Sequence, residues 1–401
     1  MAKVLFTWEC GGGYGHLTRY RDLITNLQLQ GHEAYFVVRN LQSAIKVYPN
    51  QDLRLLSAPL PLKNKKTHHR VMQPSSYLDV LVNQCFDDQE SLEARIRVWL
   101  SIFKAINPQL IIFDHSPTAL MAFKIFSSSQ CIVVGDAFAV PPSKGKVYPF
   151  RENSNLAEGD LKKRDCELVE QFINPCLSSF NAPKLKSCMD IFDHPQRIFG
   201  IAELDHYRAA KRADMFIGAE KNNSTGKEVI WPKAEGPKVF IYSENHPHLR
   251  TLLNILSELR WPVIAVAKQS ARQLMRQFQD ERFYYSEELI NIDKAAQECD
   301  FAINNSSMAT CLNFLRNGKP MILLPAHIEQ TMFAERLVEN NCGINFNDLK
   351  TPKEIRQAVI QLGNPDESMH LAVKKFVSTI RSSLDKNSDT AMLEEVFSRL
   401  E

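Results

Sequence analysis

Near the start of the chain, Gly11-Gly12-Gly13-Tyr14-Gly15-His16 puts a histidine at the end of a glycine run, with Arg19 three residues on. Imidazole changes protonation near neutral pH, so such a residue suits removal of a proton from a hydroxyl. Backbone amides at a helix start favour an anion or developing negative charge. A lone histidine also serves structure alone. Asp114 closes the apolar run Leu110-Ile111-Ile112-Phe113 and is followed by His115-Ser116-Pro117. It reads either as a helix cap or as the carboxylate that orients His16 and stabilises its protonated form. A third group runs from Asn304 to Gly343: a Ser306-Ser307 loop, Gly318-Lys319-Pro320, then His327-Ile328-Glu329-Gln330. Glu329 and Gln330 read as first-turn helix residues, or as an acid–amide pair that addresses several hydroxyls at once, as a sugar presents.

These groups need elements that gather strand ends. Residues 4–8 are short and apolar, as suits a buried parallel strand. Leu17, Tyr20, Leu23, Ile24 and Leu27 then recur at helical spacing, and Gly31-His32 marks the stop. Further strands are expected at 34–38, 53–58, 110–114 and 131–135, and residues 151–214 read as mostly helical and irregular. Residues 220–237 are polar and broken by Gly and Pro, as a linker is. The alternation restarts with strands at 239–242, 263–266, 301–304 and 321–324, a helix near 248–259, and helices after Gly343. Strand–helix alternation in both halves predicts α/β architecture, with two doubly wound parallel sheets of the Rossmann-like kind. The expected domains are 1–219 and 238–401. In open parallel sheets ligands sit beyond the carboxyl ends of the strands, where all three groups fall.

Composition narrows the function. The chain has 401 residues, 48 Lys plus Arg against 46 Asp plus Glu, and a formal charge of +2, which gives no case for nucleic-acid binding. No apolar run approaches the roughly 18 residues of a spanning helix. Met1-Ala2-Lys3 leads into only a short apolar run, which does not read as a signal peptide. Nine cysteines at irregular spacings, without Cys-x-x-Cys, read as reduced thiols of a cytoplasmic protein. Gly11-x-Gly13-x-x-His16 departs from the dinucleotide fingerprint at its last position, and no Walker lysine follows the glycines.

GGGYGHLTRYRDLITNLQLQGHEAYFVV resembles the N-terminal motif of nucleotide-sugar-dependent glycosyltransferases of the two-domain GT-B fold, and NNSSMATCLNFLRNGKPMILLPAHIEQTMFAERLVENNCG resembles their donor motif. The likeness extends to macrolide and antibiotic glycosyltransferases, plant and animal UDP-sugar transferases, and MurG-type lipid transferases. It implies two Rossmann-like domains facing a central cleft, with acceptor binding in the first and donor binding in the second. By position, His16 matches the base for the acceptor hydroxyl and Asp114 its partner. Gly13 and Gly15 belong to the glycine loop, Ser243 falls near the phosphate-side serine, and Thr310 on the diphosphate-side hydroxyl. Glu329 and Gln330 match the pair that holds donor-sugar hydroxyls. Asn305 stands for the donor histidine, Ser306-Ser307 for Gly-Gly, Ala309 for a later glycine, and Asn313 for the ribose-binding glutamate.

The resemblance implies an inverting, metal-independent hexosyltransferase with a nucleotide-sugar donor as substrate, no other cofactor, and a glycan, lipid-linked or small-molecule acceptor. The departures leave two rivals. One is a nucleotide-sugar hydrolase or epimerase, which Gly15-His16-Leu17-Thr18-Arg19 resembles equally. The other is a non-catalytic sugar-nucleotide or glycan binder. Lys63-Asn64-Lys65-Lys66-Thr67-His68-His69-Arg70 reads as a solvated loop, or as a contact for an acidic acceptor or an anionic lipid surface. His68-His69 lacks metal-ligand spacing, and no metal site is expected. Tyr284-Tyr285 reads as core, or as a base-stacking pair.

Overall fold

The computed structural model describes residues 1–12, 14–49, 53–61, 71–126, 128–143, 146–151, 157–208, 211–220, 226–267, 269–288 and 290–401. Gly13, the basic run and residues 221–225 of the expected linker lie outside these.

Two sheets organise the described chain. The first contains β1 (Lys3–Trp8), β2 (Glu33–Val38), β3 (Arg54–Ser57), β4 (Leu110–Asp114), β5 (Gln130–Asp136), β6 (Gln196–Phe199) and β7 (Phe216–Gly218), in the order β3-β2-β1-β4-β5-β6-β7. The second contains β8 (Val239–Ser243), β9 (Val263–Ala267), β10 (Phe283–Ser286), β11 (Phe301–Asn304), β12 (Met321–Leu323) and β13 (Gly343–Asn345), in the order β10-β9-β8-β11-β12-β13. The pairings from β3 through β6 are parallel, as are those of the second sheet. Helices connect the strands, so the central strands are apolar on both faces: Val4, Leu5, Phe6 and Trp8 of β1 are all buried.

Strand order reverses once in each sheet, between β1 and β4 and between β8 and β11. A crevice opens at such a switch because the following helices pack on opposite faces. Register places Trp8 beside Asp114 at the first switch and Tyr242 beside Asn304 at the second. The helix Gln89–Ile106 delivers the chain to β4. Asp88 caps its start by accepting from the Ser91 amide at 3.0 Å. Asn107 ends it at φ 51°, a left-handed conformation that asparagine tolerates better than most residues.

The packing divides the chain into one unit of residues 1–199, 207–217 and 387–401, and another of 200–206 and 218–386. The last helix, Ser388–Leu400, therefore belongs with the first unit, although the boundary expected from sequence assigned it to 238–401. Its amphipathic pattern says that it packs, without saying on which sheet. Arg197 of β6 ties it down through an ion pair with Glu395 at 2.5 Å. β6 and β7, and likewise β13, are strands of three or four residues that sequence patterning did not reveal. Elements this short take their conformation from the strand they pair with. The expected first helix is also divided, into Gly15–Thr18 and Arg21–Leu29.

Candidate functional site

At the first switch, His16 reaches the end of β4. His16 Nδ1 lies 3.0 Å from Asp114 Oδ1. An ionised carboxylate only accepts, so Nδ1 carries the hydrogen and Nε2 keeps its lone pair for a proton. Gly11 has φ 94°, and a Cβ there would sit 3.1 Å from His16 Nε2. A side chain at 11 would crowd the nitrogen that must accept the proton, which accounts for glycine at this position. A Cβ on Gly15 meets nothing within 4 Å, so close packing does not demand glycine there. Trp8 stacks on the imidazole, with ring centres 5.3 Å apart and planes 17° from parallel.

Asp114 is buried and collects two further donors on Oδ2: the Arg19 guanidinium at 3.2 Å and the Tyr20 hydroxyl at 2.9 Å. Both come from the break between the two helical pieces. Arg19 also lies over the Phe199 ring, 4.4 Å from its centre. It shares a small recess with Tyr20, Leu23 and Phe199, and with Asp389 and Met392 of the last helix. Burial draws the His16 pKa down, but the charge and hydrogen bond of Asp114 outweigh it, and the net shift is upward. Burial pushes the Asp114 carboxyl up, and the His16 and Arg19 charges more than offset this, holding it below its usual value. Tyr20 is raised by burial and by Asp114, and stays a hydroxyl donor. The exit of β1 is held as firmly. Buried Glu9 accepts from Arg95 at 3.1 Å, from Trp99 Nε1 at 3.3 Å, and from the amide and hydroxyl of Thr118.

At the second switch the chain leaves β11 through Asn305-Ser306-Ser307 into the helix Met308–Arg316. Asn304 Oδ1 accepts from the Ser306 amide at 2.8 Å, which pins the turn, and Ser306 sits at φ 59°. Asn305 Nδ2 donates to Glu244 Oε1 at 3.1 Å, and Ser307 Oγ to Thr310 Oγ1 at 2.8 Å. In this turn the buried Asn304 Nδ2, Asn305 Oδ1 and Ser306 Oγ have no hydrogen-bond partner among the described residues. Each such atom costs about 1–3 kcal/mol when left unpaired, so this turn holds hydrogen bonds that a water or a ligand would make. Ser243, at the end of neighbouring β8, donates to the Glu244 carbonyl at 2.7 Å.

The other candidates of this half divide into inward- and outward-facing groups. Asn313 is buried and donates to Asp293 Oδ1, so a carboxylate stands beside the position where the resemblance expected a glutamate. Gln330 is buried, with its Oε1 accepting from the Ala326 amide at 2.8 Å. Glu329 is half-buried, 3.9 Å from His327 Nδ1. Tyr285 is buried, whereas Tyr284 is 40% exposed. Each switch point thus gathers its own expected residues: His16 with Asp114 at the first, Ser243 near Asn304–Thr310 at the second. Sequence reasoning assigned no role to Trp8, Glu9, His115 or Tyr20. Arg19 was noted for its spacing from His16 and for its place in the Gly15-His16-x-x-Arg19 likeness to nucleotide-sugar hydrolases.

No family model matches the chain, and no curated protein is similar to it in sequence. Solved structures are similar over nearly the whole length. The glycosyltransferase of kitacinnamycin is 16% identical, with TM-score 0.66, covering 99% of each chain. CalG4, the calicheamicin glycosyltransferase, is 16% identical, with TM-score 0.66, covering 100% of this chain and 98% of its own. The spinosyn rhamnosyltransferase SpnG is 15% identical, with TM-score 0.64, covering 98% of this chain and 100% of its own, and has been solved with thymidine diphosphate and with spinosyn aglycone. At these identities the likeness is one of fold, and the two-sheet fold of this chain is that of these glycosyltransferases.

Proposed function

We propose that this chain is an inverting, metal-independent glycosyltransferase that moves a sugar from a nucleotide-diphosphate sugar to an acceptor hydroxyl. The observation that carries the reading is the His16–Asp114 pair, 3.0 Å apart, with Nε2 kept clear by Gly11. His16 Nε2 takes the proton of the acceptor hydroxyl as its oxygen bonds to the anomeric carbon. The bond from that carbon to the diphosphate breaks, and the nucleotide diphosphate leaves with the electron pair. Asp114 stabilises the imidazolium formed. Asn304, Asn305 and Ser306 offer their unpaired polar atoms to the diphosphate, with Thr310 and the start of the helix Met308–Arg316 beside them. The second unit would hold the donor and the first the acceptor. Nine free thiols suit a cytoplasmic setting.

One observation favours a second reading. Arg19 bonds the same carboxylate as His16, so Gly15-His16-x-x-Arg19, the motif that resembles nucleotide-sugar hydrolases, works as a unit. There, water would replace the acceptor hydroxyl. A thermal-shift screen against nucleoside diphosphates and their sugars finds the donor, since a ligand at 100 times its Kd stabilises by about 2.7 kcal/mol. Product analysis then separates the readings: a glycoside of inverted anomeric configuration, formed equally in chelator, supports transfer. Free sugar released at the same rate with and without acceptors supports hydrolysis.

A further inference from the structure

The chain first passes from one unit to the other at the peptide bond between Phe199 and Gly200. Both residues are tightly seated. Phe199 ends β6, where register places it beside Asp136, and it is buried. The Arg19 guanidinium lies over its ring, 4.4 Å from the centre, in the recess lined by Asp389 and Met392. Gly200 has φ 113°, and a Cβ there would stand 2.8 Å from Met308 Sδ, so the close approach requires glycine. The Gly200 amide donates to the Gly218 carbonyl at 2.8 Å, which fixes the exit of the strand. Met308 is buried and is the first residue of the helix that follows the turn at 304–307. Contacts and covalent bonds therefore run without a gap from that turn through Met308, Gly200 and Phe199 to Arg19, Asp114 and His16.

We infer that Phe199 is a positioning residue for the base, and that the turn at 304–307 acts on it through Met308 and Gly200, so that a nucleotide in the turn readies His16 to accept a proton. This rests on the reading of His16 as the base and of the turn as the diphosphate site, and adds a connection between them. A cation is attracted to an aromatic face, so the Phe199 ring fixes where the guanidinium stands. Burial lowers the His16 pKa, Asp114 and Asp136 raise it, and Arg19 lowers it. Tyr20 stays a hydroxyl, and burial with the nearby His16 holds His115 down to about 4, uncharged at neutral pH. Close-packed interiors pass displacements on rather than absorb them. A ligand that completes the hydrogen bonds of Asn304, Asn305 and Ser306 orders the turn, seats Met308 on Gly200 and holds Phe199 under Arg19. The Arg19 charge then opposes Asp114 more fully, and His16 gives up its proton more readily. By linkage, the unprotonated base in turn favours nucleotide.

The test follows the His16 titration on the full chain, by imidazole carbon shifts of labelled histidine. In the free protein, Phe199→Leu should raise the midpoint, because Arg19 loses its platform, and Phe199→Tyr, which keeps the ring, should stay near wild type. Should Phe199→Leu not fold, Phe199→Met, which fills the space without a ring, carries the comparison. Uridine, thymidine, guanosine and adenosine diphosphates are then screened by calorimetry, and the tightest binder is added to saturation. A bound diphosphate acting through space alone favours the protonated imidazole and raises the midpoint. The connection through Met308 works the other way, so the nucleotide should lower the midpoint in wild type and not in Met308→Ala. An unchanged midpoint in Phe199→Leu overturns the positioning role. A nucleotide shift in wild type that is equal to that in Met308→Ala, or more upward, overturns the connection. Failure of the donor reading looks different: none of the four nucleotides binds, while Phe199→Leu still moves the midpoint.

Discussion

The two switch points solve opposite problems with the same strand geometry. At the first, Asp114 accepts from three donors within 3.2 Å, and the charged and hydroxyl groups around it form a closed set. At the second, three consecutive residues keep polar atoms unpaired in the interior. A group that moves a proton must be oriented before the substrate arrives, since misplacement costs rate directly. A loop that grips a ligand must keep bonds in reserve, and the free protein carries that as lost stability. The difference predicts that substitutions at the first switch hurt turnover, while those at the second hurt affinity and can even help stability.

His16→Ala is the sharpest way to break the comparison. Turnover should fall by roughly 10²–10⁴, with nucleotide-diphosphate affinity near wild type by calorimetry. Asp114→Asn should act the same way, and the double variant should lose little more, because both serve one proton transfer. Loss of nucleotide affinity in His16→Ala would mean that the two edges do not divide the work.

The same pair makes a stability prediction with a definite sign. A raised His16 pKa contributes stability that is complete below the unfolded imidazole value and is lost as pH rises through the folded one. A depressed Asp114 pKa contributes stability that is present above the unfolded carboxyl value and is lost as pH falls through the folded one. Their overlap is weakly acidic, between the ordinary values of 3.8 and 6.5. Thermal melts of His16→Gln against wild type should differ most in that window and converge as pH rises through the folded His16 value. A constant difference across pH would mean that His16 stabilises by packing against Trp8 alone.

His16, Asp114, Asn305 and Ser306 could be placed at strand ends from sequence because they follow apolar strands, the one pattern a parallel sheet writes plainly. His16 and Asp114 are 98 residues apart, and only the parallel alternation brings them to one edge. Their partners were hidden for the same reason. Arg19 and Tyr20 carry no mark of facing Asp114 until the helix break between Thr18 and Arg21 is seen. The role of Glu9 depends on Arg95, Trp99 and Thr118, which arrive from two distant helices. Gln330 was read either as a first-turn helix residue or as a contact for donor-sugar hydroxyls, and its side chain accepts from the Ala326 amide four residues back, a local bond of the first-turn kind. β6, β7 and β13 are too short to show a period.

Effects at the second switch should be smaller and fall on affinity. Asn305→Ala should weaken nucleotide-diphosphate binding by about tenfold, since a hydrogen bond to a charged group contributes about 1.5–3 kcal/mol. Ser306→Gly should stabilise the free protein by about 1 kcal/mol: it relieves a left-handed residue and deletes a buried unpaired hydroxyl, against the extra freedom glycine gives the unfolded chain. The same variant should bind the diphosphate less well. Denaturant melts with and without nucleotide read both changes, and a loss of stability in Ser306→Gly would place its hydroxyl in the fold.

The smallest effect is the finest test of the first switch. Arg19 gives Asp114 a second cation, and its charge opposes the upward pull that Asp114 exerts on His16. Removing that charge in Arg19→Gln should let His16 hold its proton to higher pH, moving its titration upward. The base form is the unprotonated one, so the acid side of the activity profile should move up in parallel. Arg19→Lys keeps the charge without the planar fork and should shift less. Imidazole carbon shifts from selectively labelled histidine, assigned with His16→Gln, follow the titration without any substrate. Arg19 reaches Asp114 from a recess it shares with Asp389 and Met392 of the last helix, so Met392→Ala should loosen its seat and move the midpoint in the same direction by less. A titration that moves in neither variant would leave Arg19 as a packing residue over Phe199, with Asp114 as the main charge that sets the base.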